Sequence, residues 1–188
     1  MRKRLFIAIK INPTKEILHR VSLFQENLDD DNINWIRADH YHLTLKFLGD
    51  TSSEKIERMA EKLIRILQEE PAFRLKLSKF GLFGSKYSPR VIWAGVEPEL
   101  EVGKLAQKIS KEMESFGYRN DRQNFVPHLT VARIRKLKNK AHFQQVFSKL
   151  HSAVRLEQLV DEVVLFESRL SSQGAEYSEL ARFPLKID

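Results

Sequence analysis

Two short segments of this 188-residue chain repeat a pattern able to move protons: His42-Leu43-Thr44-Leu45 and His128-Leu129-Thr130-Val131. Side chains alternate between the faces of a strand, so each histidine shares a face with its threonine while Leu43, Leu45, Leu129 and Val131 turn toward a core. Each copy then offers one imidazole and one hydroxyl from an otherwise apolar strand. Two such strands facing each other would bring both pairs to one cleft. Histidine titrates near pH 6.5, so around neutrality one ring can accept a proton while its partner donates one. Each transfer contributes typically about 10²–10⁴-fold. Displacement at phosphorus suits this arrangement, because the entering and leaving oxygens lie in line on opposite sides of the phosphorus atom. The threonine hydroxyls can donate to the non-bridging oxygens. Such chemistry requires no metal and no cofactor. The repeat makes His42 and His128 equivalent, so these residues alone do not say which is the acid.

The elements that must position these groups follow from the pattern around them. A β-branched and aromatic run over residues 4–10 is stopped by Asn12-Pro13 and predicts a strand. Thr14 can cap a helix over residues 15–27, with Ile17, Leu18, Val21 and Phe24 on one face. Residues 34–37 and 41–48 read as strands. A helix begins at Ser52 or Ser53 and ends before Pro71, and residues 73–77 alternate as a strand. The order then starts again: a strand over 90–96, a helix over 100–116 closed by Gly117, a polar loop over 119–124, and a strand over 128–134. A helix over 141–150 and strands over 159–167 and 177–183 complete the chain.

A shift of 86 residues places Arg4 on Arg90, Ala8 on Ala94, His42-Leu43-Thr44 on His128-Leu129-Thr130, and Phe80 on Phe166. This internal repeat predicts an α+β fold: one bilobal domain over residues 1–188, its duplicated lobes (roughly 1–85 and 86–188) related by a pseudo-twofold axis. The chain has no cysteine, which excludes disulfides and thiolate chemistry. Its charged fraction of 30% and a longest N-terminal apolar run of five residues argue for a soluble, cytoplasmic protein without a membrane span. Lysine and arginine number 32 against 25 acidic residues, a surplus of +7 that favours a polyanionic partner.

With both motifs in place, the chain resembles the two-histidine phosphoesterases, and within them the bacterial and archaeal RNA 2′,3′-cyclic phosphodiesterases, historically called 2′-5′ RNA ligases. The resemblance is carried by Arg4-Leu5-Phe6-Ile7-Ala8-Ile9, Trp35, His42 to Gly49, Phe80-Gly81-Leu82-Phe83, Arg90 to Gly95, Pro127 to Arg133, and Leu165-Phe166-Glu167-Ser168 with Gly174 and Tyr177. It spans nearly the whole chain. It implies antiparallel sheets around a central cleft with helices outside, and hydrolysis of an RNA 2′,3′-cyclic phosphodiester end to a 2′-phosphomonoester. It further implies that His42 is the proton donor and His128 the proton acceptor that activates water. Where many members carry proline after the Phe-Gly-x-Phe segment, this chain has Gly84, a departure that bears on the local loop and on substrate selectivity.

Other side chains could join these. Arg133 is a natural phosphate ligand, but it lies five residues beyond His128, and strict alternation turns it to the opposite face unless the strand bulges. Lys46 shares the His42 face by the same counting. His40-x-His42 could begin a metal site, yet a third ligand is missing and Val126 stands in the corresponding place, so the expectation is a loop histidine and no metal. The basic stretch 136–140 reads as a solvated segment. Two further readings compete with RNA-end hydrolysis: a related enzyme acting on small cyclic nucleotides or 2′-5′ RNA linkages, reverse ligation included, and a non-catalytic RNA-binding module. The matched acid–base pairs argue against the last. A monomer is assumed.

Overall fold

The computed structural model describes residues 1–85, 87–119, 125–171 and 174–187. In chain order the elements are β1 (Arg2–Lys10), α1 (Lys15–Asn27), β2 (Asn32–Trp35), a 3₁₀ turn (Ala38–His40), β3 (His42–Ser52), α2 (Ser53–Leu67) and β4 (Phe73–Ser85). They continue with β5 (Ser88–Glu97), α3 (Glu99–Glu114), β6 (His128–Lys136), α4 (Lys140–Leu150), β7 (Glu157–Val160), β8 (Glu162–Ser171) and β9 (Gly174–Pro184). Helix limits follow their capping chemistry. The Thr14 hydroxyl accepts from the Ile17 amide at 3.5 Å, and the Asn139 side chain accepts from the His142 amide at 3.0 Å. After α3 the chain turns at Gly117 (φ +89°), which lets the Tyr118 amide reach back to the Met113 carbonyl at 3.2 Å. Most of the polar loop expected over 119–124 lies outside the described residues.

Two antiparallel sheets result. The first has the order β3-β1-β8-β9, the second β2-β6-β5-β4-β7. The sheets are not built from separate halves of the chain. The C-terminal strands β8 and β9 extend the first sheet from β1, whereas β4 joins β5 in the second. The single strand expected over 159–167 is therefore two strands, β7 on the edge of the second sheet and β8 inside the first. Asp161 separates them, and the sequence hides the break because Leu159 and Val160 of the edge strand run almost directly into Val163–Phe166 of β8, which is buried on both faces.

Helices cover one face of each sheet. Phe24 of α1 meets Phe147 of α4 and, in the second sheet, Phe80 and Trp35 at 5.4 and 6.4 Å between ring centres. Helices α2 and α3 touch each other and lie behind β3. Leu5, Ile7 and Ile9 of β1 and Ile92, Ala94 and Val96 of β5 belong to one continuous buried core. The other face of β1 supports a small separate cluster of Phe6, Ala8, Val164 and Phe166, with Tyr177 packed against it. That second cluster floors the cleft. Among the described residues, no helix is long and apolar enough to cross a membrane.

Candidate active site

Strands β3 and β6 carry the two His-x-Thr elements, and both are interrupted in the same way. Thr44 pairs with Ala8 and Lys46 with Ile7, leaving Leu45 as an extra residue. Thr130 pairs with Trp93 and Ala132 with Ile92, leaving Val131 extra. A bulge resets alternation, so beyond it the residues swap faces. Two expectations change as a result. Lys46 does not share the His42 face: it pairs with Ile7 of the core, is buried, and its Nζ donates to the Arg119 carbonyl at 2.7 Å. Arg133 does reach the His128 face, where it is exposed and makes no hydrogen bond or ion pair among the described residues. The matching position in β3 is Phe47, which sequence reasoning passed over; it pairs with Phe6 and is 59% exposed on the cleft side.

The register also corrects the simple 86-residue offset. Ala8 stands beside Thr44 where Trp93 stands beside Thr130, so Ala94 is not the counterpart of Ala8. Phe6 and Val91 then occupy matching places, and their partners on the next strand are Phe166 and Phe83. Phe80, aligned with Phe166 by sequence, instead faces the core.

Each imidazole sits on its own aromatic support. Phe6 and Tyr177 lie 4.8 and 5.1 Å from the His42 ring, Tyr177 edge-on at 85°. Phe83 lies 4.7 Å from His128, edge-on at 88°, and is stacked on Trp93 at 5.0 Å. Gly81 makes this seat available, since a Cβ there would fall 2.3 Å from the Trp93 ring. Gly84 adopts φ +104°, which the ring of proline forbids, so the departure from the family pattern is a different local backbone.

The anchors of the two rings match. His42 Nδ1 lies 2.7 Å from the His40 carbonyl, and His128 Nδ1 lies 2.7 Å from the Val126 carbonyl. A carbonyl only accepts, so each Nδ1 carries its proton and Nε2 is the nitrogen left for exchange. Neither threonine hydroxyl is engaged among the described residues, which leaves both available as donors. His40 ends the 3₁₀ turn with its ring 4.9 Å from Tyr177. Among the described residues, no three His, Cys, Asp or Glu side chains gather as a metal-ligand set.

Electrostatics join the two sheets. Burial lowers the His42 pKa to about 4, helped by the charges of His40, Arg133 and His128 and opposed by the His40 carbonyl. Burial also lowers that of His128, with Arg133 adding to the effect and the Val126 carbonyl opposing it. Burial raises the Tyr177 hydroxyl, while Arg133 and Arg4 pull it down. Arg133 of the second sheet is thus felt by both histidines and by Tyr177 of the first. A cavity of about 160 Å³ opens beside His42, bounded by Lys10, Asp39, Tyr41, Phe166, Tyr177 and Glu179.

Two sheets that each hold an anchored imidazole and a free hydroxyl over one cleft have the architecture of a two-histidine phosphoesterase. A family model described as "LigT like Phosphoesterase" matches residues 11–93 and again 96–177, and the chain belongs to this family of hydrolases. An RNA 2′,3′-cyclic phosphodiesterase of Thermotoga maritima is 32% identical over 94% of this chain and 92% of its own length. One from Geobacillus stearothermophilus is 30% identical over 98% of this chain, which spans 58% of that relative. Among solved structures, TT0787 of Thermus thermophilus superposes with a TM-score of 0.78 at 25% identity, over 98% of this chain and 99% of its own. E. coli LigT in complex with 3′-AMP shares the fold, with a TM-score of 0.76 at 24% identity over 98% and 99%.

Proposed function

We propose that the protein hydrolyses RNA 2′,3′-cyclic phosphodiester ends to 2′-phosphomonoesters, with His42 and His128 as its acid–base pair. The matched Nδ1–carbonyl anchors carry this reading: they fix the tautomer of both rings and leave both Nε2 atoms for proton transfer. His128 takes a proton from water as its oxygen attacks phosphorus. The bond from phosphorus to O3′ breaks, and His42 delivers a proton to O3′, leaving a 3′-hydroxyl and a 2′-phosphate. Thr44 and Thr130 donate to the non-bridging oxygens, and Arg133 balances their charge from the second sheet. The residues need no metal for either transfer. The names of the relatives and the basic surplus support RNA as the substrate.

Incubation with a short RNA ending in a 2′,3′-cyclic phosphate tests this directly. The expected product carries its phosphate on O2′. His42→Ala and His128→Ala are each expected to lose at least about 10³-fold in kcat while keeping the wild-type melting temperature, and EDTA is expected to change nothing. Full activity in either variant, or loss on EDTA restored by a metal, would overturn the mechanism.

A further inference from the structure

The first sheet carries a second set of groups that hydrolysis at the cyclic phosphate leaves unused. On the cleft face of β1, Ala8, Phe6 and Arg4 follow one another, because that strand alternates without interruption. Phe6 lies against His42; Arg4 comes two residues further out, about 7 Å along the strand. The other basic side chains of β1 are all engaged. Arg2 donates to the Asp50 carbonyl at 2.8 Å, Lys3 pairs with Glu167 at 2.8 Å, and Lys10 pairs with Glu179 at 2.8 Å. Arg4 alone in the strand is exposed with no hydrogen bond or ion pair among the described residues. On β3 the residue paired with Arg4 is Asp50, which makes no ion pair with it among the described residues; one step along the same face is Phe47, brought there by the β3 bulge, paired with Phe6 and touching its ring at 6.1 Å between centres. A guanidinium held in no ion pair, one step along the face from an open aromatic ring, is the pair of surfaces that one nucleotide offers contacts for: an anionic linkage and a flat base.

We infer that Arg4 and Phe47 form a subsite for the penultimate nucleotide, Arg4 holding the phosphodiester that joins it to the reacting end and Phe47 stacking its base. This rests on the reading of the His42–His128 cleft as the hydrolytic site, and it makes the preferred substrate an RNA end of at least two nucleotides. The pseudo-twofold site is asymmetric at this point for a reason. Five residues past each motif histidine the second sheet presents a cation, Arg133, and the first an aromatic, Phe47. The substrate is equally asymmetric, with the cyclic phosphate at its end and a stackable base behind.

The test compares kcat/KM for a nucleoside 2′,3′-cyclic phosphate, a dinucleotide ending in the same group, that dinucleotide with a neutral methylphosphonate linkage, and one with an abasic first position. The wild-type protein should favour the plain dinucleotide over the mononucleotide by roughly tenfold or more, and the methylphosphonate should forfeit much of that gain. Arg4→Gln should lower the dinucleotide-to-mononucleotide ratio and become insensitive to the methylphosphonate. Phe47→Ala should lower it for the plain dinucleotide and spare the abasic one. A wild-type ratio near one overturns the subsite, as do variants that leave the ratio unchanged, or Arg4→Gln and methylphosphonate losses that simply multiply. Turnover of the mononucleotide alone would still leave the hydrolytic reading standing, whereas turnover of no cyclic phosphate would sink both.

Discussion

Burial holds His42 near pKa 4 and lowers His128 as well, so both rings are neutral in the free protein at pH 7. A donor at position 42 must therefore gain its proton as the anionic substrate arrives, because a phosphate between the rings favours their charged forms. The sign of the pH dependence follows. The productive free form, His42 charged and His128 neutral, has its greatest population between the pair's two macroscopic values, both displaced downward from 6.5. The kcat/KM profile is expected to be a bell with its maximum below pH 6.5. The kcat profile, which reports the bound state, should sit at higher pH. A kcat/KM that climbs through neutrality to an alkaline plateau would contradict this. The two roles separate by leaving group. A cyclic ester with sulfur replacing O3′ expels a thiolate that needs no proton, so His42→Ala should recover most of its lost activity on it, while His128→Ala should not. Recovery in His128→Ala instead would exchange the roles.

Within single elements, strict alternation placed His42, Thr44, His128 and Thr130 correctly and failed just beyond them. The failure at Lys46 and Arg133 has one cause, the extra residues Leu45 and Val131, and an apolar residue in a bulge looks no different in sequence from one in a regular strand. The offset of 86 held across the histidine strands and slipped by one on the strand beside them. Alanine at 8 and 94 aligned by type although only Ala8 faces the cleft. Gly81 was visible as a motif residue, but its purpose, to let Trp93 lie over β4 beside His128, required the partner strand. Gly81→Ala is therefore expected to cost about 1–3 kcal/mol of stability and to lower kcat by displacing the Trp93–Phe83 support of His128. The control is Gly103→Ala: it lies in α3, a Cβ there meets nothing within 4 Å, and it should stabilise. Thermal unfolding and initial rates on the same preparations check both. Equal behaviour of the two substitutions would remove Gly81 from the account of the site.

At the scale of the whole molecule, the repeat and the sheets cut the chain differently, and this determines how the cleft is held together. In the first half, β4 pairs only with β5 and β7, and β2 only with β6, all of them from the second half. In return β8 supplies the neighbour that β1 lacks on its other edge, and with it Phe166, while β9 brings Tyr177 beneath His42. Helix pairing repeats the exchange, α1 lying on α4 and α2 on α3. Each half alone would expose strand edges and half of an apolar core, a state that burial cannot stabilise. Chains 1–85 and 86–188 are accordingly expected to be unfolded or aggregated when made separately, by circular dichroism. Mixed during refolding, they should assemble into a one-to-one complex that recovers activity, because the cut falls between β4 and β5 and interrupts neither strand. The intact chain should likewise unfold in one transition, with absorbance of the tryptophans and backbone signal coincident. Either half folding alone would mean that the lobes are independent. The facing of His42 and His128 would then rest on a movable interface rather than on strands that each half lends to the other.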